Sequence, residues 1–191
     1  MSTSKSKSAS RRKTYHHGDL RAALLDAADG LLDEGGVEAV SLREVARRTG
    51  VTPTATYRHF ADKESLLAAL ALRGFQAFGL ALQKSAMKSD NPLAAMGQAY
   101  VRFALARPGR FRLMFGPAVA DRDRHPELKA AVEQVTQGFG QAIQARPDLG
   151  PAPDVVALRM WSMIHGLSHL LLDGMLPGYD PDDLARAVTS K

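Results

Sequence analysis

The stretch SLREVARRTGVTPTATYRHFADK, Ser41 to Lys63, decides how this chain is read. Ser41 and Glu44 make an S-x-x-E pair. The hydroxyl can cap a first-turn amide while the carboxylate reaches back, so the spacing predicts a helix starting there. Leu42, Val45 and Ala46 give that helix one apolar face at i, i+3 and i+4, and Arg43, Arg47 and Arg48 point elsewhere. Gly50 follows the last turn, where left-handed backbone costs a residue without Cβ almost nothing. Thr52 suits an N-cap and Pro53 the first helical position, whose amide would be unpaired anyway. Helices joined this tightly must cross steeply. The second carries Thr52, Thr54, Tyr57, Arg58 and His59, a set little suited to a core. That layout is a helix-turn-helix DNA reader whose second helix enters the major groove.

Upstream lies a basic arm. Residues 1–17 hold Lys5, Lys7, Arg11, Arg12 and Lys13 and no acid. The whole chain carries 25 Lys and Arg against 20 Asp and Glu, so the charge of +5 belongs to the arm and the remainder is neutral. A Ser- and Lys-rich segment without apolar residues cannot bury enough surface to order itself. Disorder is expected over 1–17, with Arg11, Arg12 and Lys13 free to lie along DNA phosphates or enter a minor groove. A purely solubilising tail is the other reading.

The 191 residues have room for a core and one or two small domains. No uninterrupted apolar run reaches the ~18 residues of a membrane span, and the N-terminus lacks the apolar stretch of a signal peptide. No membrane partner is expected. The absence of cysteine excludes disulfides, thiolate metal sites and cysteine nucleophiles, and fits a cytoplasmic location. No nucleophile–base–orienter set or metal constellation is visible, so no enzyme and no cofactor is expected.

The periodicity is helical throughout and the expected fold class is all-α. Residues 19–34 form a scaffold helix ending at Gly35-Gly36. A long helix runs from about Asp62 to Met87, another from Asn91-Pro92 to about Ala106, and a short apolar turn spans Phe111 to Phe115. Helices over about 126–145 and 154–173 flank a loop punctuated by Pro147, Gly150, Pro151 and Pro153, and Asp180-Pro181 opens a short last one. The expected organisation is an arm (1–17), a helix-turn-helix head (18–64) and a helical regulatory and dimerisation domain (65–191).

With these elements placed, the chain resembles the TetR family of bacterial transcriptional regulators. The resemblance is strongest over residues 18–68, through SLREVARRTGV and TYRHFADKESLL. Its hallmark is present as Tyr57, Arg58, His59, Phe60 and Lys63. The segments YHHGDLR (15–21), RPGRFRLMF (107–115) and WSMIHGLSHLLLDG (161–174) are similar to a subgroup with a WHG-type C-terminal domain.

The resemblance implies a homodimer, paired through its C-terminal helices, that binds a palindromic double-stranded DNA operator and is released by a small-molecule effector. By position, Thr52, Pro53, Thr54, Tyr57, Arg58 and His59 fall on or beside the DNA face, Ser41 and Arg43 at a phosphate-contacting helix start, and Lys63 at another. Repression in the bacterial cytoplasm, on the nucleoid, is the default outcome. An activator or an effector-independent DNA binder of the same fold is the alternative. Thr56 departs from the family, which commonly has an apolar residue there. It either faces DNA or leaves the head looser.

In the body, Trp161, His165, His169 and Asp173 share one helical stripe. A histidine pair at i, i+4 can hold a metal, but a third ligand at i+8 is ~12 Å along the axis, so this helix alone cannot complete a site and no metal is expected. The stripe either packs the subunit interface or sends Trp161 or His165 to a ligand. Phe103, Phe111, Met114 and Phe115 read as core or, in this family, as lining of an effector cavity. Such a lining favours an apolar or aromatic ligand.

Overall fold

The computed structural model describes residues 17–189, and within them there are nine α-helices and no strand. The basic arm's Arg11, Arg12 and Lys13 lie outside the described residues.

Helix α1 (His17–Ala39) breaks at Gly35-Gly36, where Gly36 has φ +67°, as the glycine pair predicts. Its inward face is Leu24, Leu25, Ala28, Leu31 and Leu32, all buried. Helix α2 (Leu42–Thr49) starts where Ser41 Oγ accepts the Glu44 amide at 3.2 Å, and it ends at Gly50, φ +69°. The turn closes when the Val51 amide donates back to the Ala46 carbonyl at 3.0 Å. Helix α3 (Pro53–Tyr57) has Thr52 as its cap, the hydroxyl accepting the Ala55 amide at 3.3 Å.

The reciprocal capping box expected at Ser41 and Glu44 is only half made. Glu44 turns to Arg47 instead, accepting from Nε at 2.8 Å and Nη2 at 2.6 Å. Charge-assisted bonds of this kind outcompete a neutral backbone amide. A full box occurs one helix later. Asp62 Oδ1 accepts the Ser65 amide at 2.7 Å, and Ser65 Oγ accepts the Asp62 amide at 3.2 Å.

That box opens α4 (Lys63–Ala86), the helix shared by both parts of the molecule. Leu66, Leu67 and Leu70 belong to the same buried cluster as α1 and α2, and Phe75, Phe78 and Leu82 continue it into the body. The body adds α5 (Pro92–Ala106), α6 (Pro108–Phe115), α7 (Pro126–Gln144), α8 (Pro153–Leu172) and α9 (Pro181–Thr189). Helix α6 starts at Pro108, three residues before the expected Phe111, because proline suits a first helical turn. A short 3-10 turn, Arg122–Arg124, precedes α7.

Head and body meet where α6 lies on α1. Gly109 packs directly on the Leu32 carbonyl, leaving no room for a Cβ. Beside it Arg110 donates to Asp29 through Nε at 3.0 Å and again through Nη2; Asp29 is buried and Arg110 is largely so. Arg107 reaches Asp29 at 3.3 Å and Asp33 at 3.0 Å. The RPGR segment is therefore the strap between the two parts.

By length and average composition α4 and α8 are each apolar enough to cross a membrane, which counting uninterrupted apolar runs did not show. Half of the apolar window of α4 is buried inside the protein, which accounts for its composition. For α8 the share is only 28%, and Val155, Leu158, Met163 and Leu170 stand exposed along it.

Candidate functional site

Two features of the molecule have the makings of sites: the outer face of α3 and a cavity in the body.

On the head, Ser41, Arg43, Thr52, Pro53, Thr54, Tyr57 and Arg58 are exposed, and His59 and Lys63 are half-buried. Tyr57 is 50% exposed although it is a large aromatic. The face is held from below by Val45, Ala46, Phe60 and Leu66, all buried. Arg21 lies over the Phe60 ring, 5.3 Å from its centre, and ties α1 to the segment after α3. Among the described residues Arg43, Arg58 and Lys63 enter no ion pair. Arg47 and Arg48 differ. Arg47 pairs with Glu44, and Arg48 pairs with Glu44 at 3.4 Å and with Glu34 of α1 through both terminal nitrogens. The Arg47 hydrogen bond holds the Glu44 carboxyl down to about 2. Three cations thus remain free around α3, and two are committed to holding α2.

Thr56 does not face outward. It is fully buried and its hydroxyl has no partner among the described residues. Of the two readings of this departure, the structure selects the inward one. An unpaired buried hydroxyl costs about 1–3 kcal/mol.

The cavity has a volume of about 570 Å³ and lies between α4, α5, α7 and α8. Its walls are mostly apolar, with Phe78, Leu82, Met96, Val135 and Ile164 among them. Of the candidate lining residues, Phe115, Trp161 and His165 border it. Phe103, Phe111 and Met114 do not. Phe111 and Met114 are fully buried, and Phe103 packs against Phe78 with ring centres 5.0 Å apart, so these three belong to the core behind the wall. Aromatic spacing alone could not separate a wall from the core directly behind it.

Tyr100 and Arg122 line the cavity too, and sequence reasoning missed both. Tyr100 Oη lies 2.8 Å from His165 Nδ1 and accepts from Trp161 Nε1 at 3.4 Å. Burial pushes the Tyr100 phenol up, so it keeps its proton and is the donor to His165. Burial, helped by His169, pushes His165 below the usual imidazole range, which leaves Nδ1 free to accept. The stripe of Trp161, His165, His169 and Asp173 is therefore divided. Trp161 and His165 face the cavity, His169 packs on Phe111, and Asp173 takes Arg112 at 2.5 Å. Among the described residues no group of three His, Cys, Asp or Glu gathers as a metal site would require.

The chain also matches known proteins. Residues 24–70 match the family described as bacterial regulatory proteins, tetR family, and residues 93–190 match the tetracyclin repressor-like C-terminal domain. The chain is 31% identical over 90 residues to the uncharacterized HTH-type transcriptional regulator YobS of Bacillus subtilis, spanning 46% of this chain and 47% of that one. It is 25% identical over 177 residues to the HTH-type transcriptional regulator UidR of Escherichia coli K12, covering 88% and 86%. A solved structure of a protein of unknown function from Rhodococcus sp. RHA1 superposes with a TM-score of 0.80 at 33% identity, covering 93% and 95%.

Proposed function

The chain belongs to the TetR family of bacterial transcriptional regulators, DNA-binding proteins rather than enzymes, and on that footing we propose that it is a dimeric repressor released from a palindromic operator by a small molecule. The observation that carries the DNA face is the α3 surface. Thr52, Pro53, Thr54 and Tyr57 stand exposed there, with Arg43, Arg58 and Lys63 around them unclaimed by any carboxylate among the described residues. Exposed cations without partners can neutralise phosphates at no cost to the fold. Pro53 offers no side-chain donor, so base reading leans on Tyr57, His59 and the methyls of Thr52 and Thr54 against thymine. The arm, residues 1–17, adds phosphate contacts, with residues 18–64 acting as the reading head and 65–191 as the regulatory body.

Dimerisation through α7 and α8 is supported by the outer face of α8, where Val155, Met163 and Leu170 are exposed along one stripe with Gly166 open among them. A stripe of large apolar side chains around a small one is suited to close helix packing against a second copy. The apolar cavity behind that helix is the place for an effector, its volume lying in the range of small-molecule pockets. A dimer over a promoter in the bacterial cytoplasm blocks polymerase, hence repression.

The test is DNase I footprinting on the protein's own upstream region with wild type, Tyr57→Ala and Lys63→Ala. Wild type should protect a two-fold symmetric site, and both variants should lose protection while keeping helical circular dichroism and dimer mass. Protection that survives both substitutions removes α3 as the reading face.

A further inference from the structure

The 3-10 turn Arg122–Arg124 uses its three charged side chains in three different directions. Asp123 takes Lys129 at 2.7 Å. Arg124 Nη1 donates to Glu64 Oε2 at 2.8 Å, and the next residue, His125, brings Nε2 to 3.2 Å from Glu64 Oε1. Glu64 is the second residue of α4, directly after Lys63. Arg122 points the other way, into the wall of the cavity. Its guanidinium carbon lies 5.6 Å from the centre of the Phe75 ring. Its Nε is buried without a hydrogen-bond partner, and it enters no ion pair among the described residues.

That arrangement is costly as it stands. A buried guanidinium N–H with no acceptor forfeits its hydration, and a ring face compensates only in part. Nearby acids do not relieve it. Asp121 and Glu133 border a shallow depression on the outer side of Arg122, with Lys129 among them, and neither pairs with Arg122. Asp154 also lines the cavity but is exposed, in the first turn of α8. Of the remaining polar side chains, Tyr100, His165 and Trp161 satisfy one another, and the Thr136 and Thr189 hydroxyls donate back to the Val132 and Ala185 carbonyls of their own helices. Among the described residues, half-buried Arg122, its Nε enclosed and unpartnered, is left as the one cationic donor in a mostly apolar cavity wall.

We infer that the effector is an amphipathic anion, its carboxylate or similar oxyanion seated on the Arg122 guanidinium and its aliphatic or aromatic body along Phe78, Met96 and Ile164, and that its binding reaches the head through the Arg124 and His125 contacts to Glu64. The inference rests on the reading of the cavity as the effector site. An oxyanion offers Nε and the neighbouring Nη the charge-assisted pair they lack. A neutral hydroxyl of the same reach can accept one weaker bond from Nε but cannot supply the charge-assisted pair, so the site discriminates by charge. Because Arg122 and Arg124 share one short turn, a displacement that seats Arg122 on an anion moves the clamp on the first turn of α4, next to Lys63. Only a differential contact of this kind shifts a two-state equilibrium.

The experiment uses the full-length protein and Trp161, the only tryptophan, as reporter. Decanoate is titrated against decan-1-ol, and 1-naphthoate against 1-naphthylmethanol. The acid of at least one pair should bind roughly ten- to a hundred-fold more tightly than its alcohol. Arg122→Gln should abolish that preference while leaving the alcohol's affinity within about twofold. Arg122→Lys should keep part of it. Operator release is then read by fluorescence anisotropy of labelled operator DNA. Glu64→Gln and Arg124→Gln should bind the acid as wild type does yet stay on DNA at saturating acid. If acid and alcohol bind equally, or the preference survives Arg122→Gln, the anion seat is wrong although the cavity binds ligand. If release is normal in both clamp variants, the route is wrong. If no member of either pair changes Trp161 emission or displaces the operator, the effector-site reading itself falls, and the anion seat with it.

Discussion

Around α3, Arg43, Arg58 and Lys63 have no carboxylate partner among the described residues, whereas at the α1–α6 junction Arg110 is committed to Asp29 and Arg107 to Asp29 and Asp33. The same residue types serve opposite purposes. At the junction the charge is paired, and at Arg110 and Asp29 largely buried, so it fixes how the head sits on the body. On the α3 face it is left in water, where it contributes little to folding and remains available to an outside anion. Arg47 and Arg48 show that proximity to the reading helix does not decide the matter, since both lie in α2 and both are taken by Glu44 or Glu34.

Substitutions at the two places should therefore fail differently. Arg110→Ala leaves the buried Asp29 carboxylate with only Arg107 at 3.3 Å, and should cost about 3 kcal/mol of stability in urea unfolding. A change below 1 kcal/mol would mean that the junction is not held by this pair. Lys63→Ala should leave unfolding almost unchanged and weaken operator binding by roughly 1–3 kcal/mol, measured by gel shift. Arg47→Ala is the control and should alter operator affinity far less. Equal losses at Lys63 and Arg47 would dissolve the distinction between free and committed cations.

The body offers a pH test of the same principle. His165 is held below the usual imidazole range by burial and by His169, so the folded protein binds fewer protons than the unfolded chain just below pH 6.5. Stability should be full above that pH and decline as pH falls through it. His165→Gln should flatten the decline, read as the slope of the melting temperature between pH 7 and 5. The smallest effect concerns the head. Thr56→Val removes an unpaired buried hydroxyl without changing shape and should stabilise by about 1 kcal/mol without touching operator affinity. Weaker DNA binding in that variant would return Thr56 to the reading face.

The head was legible from local rules. Ser41, Gly50, Thr52 and Pro53 each act within three or four residues of themselves, and the structure has them as cap, left-handed turn, cap and first helical residue. What failed there was a competition between partners. Glu44 had a backbone amide and two arginines within reach, and spacing does not say which wins. The body was less legible because its features are made by distant segments. Asp29 and Arg110 lie 81 residues apart. The available signal was a lone acid on the apolar face of α1, among Leu25, Ala28 and Leu32. The cavity wall was misassigned in the same way. Phe111 and Phe115 sit one turn apart on the same helix, yet only Phe115 borders the space. Arg122 gave no signal at all, since a charged residue in a loop reads as solvated until the chain folds over it.

Whether the α3 face reads DNA twice per dimer is decided by selecting binding sites from random duplexes with the purified full-length protein. Enrichment of a two-fold symmetric sequence is expected, its half-sites centred about one DNA turn apart, ~34–36 Å, with loss of that enrichment in Tyr57→Ala. Recovery of no shared sequence, or of an asymmetric site that Tyr57→Ala still selects, would contradict it.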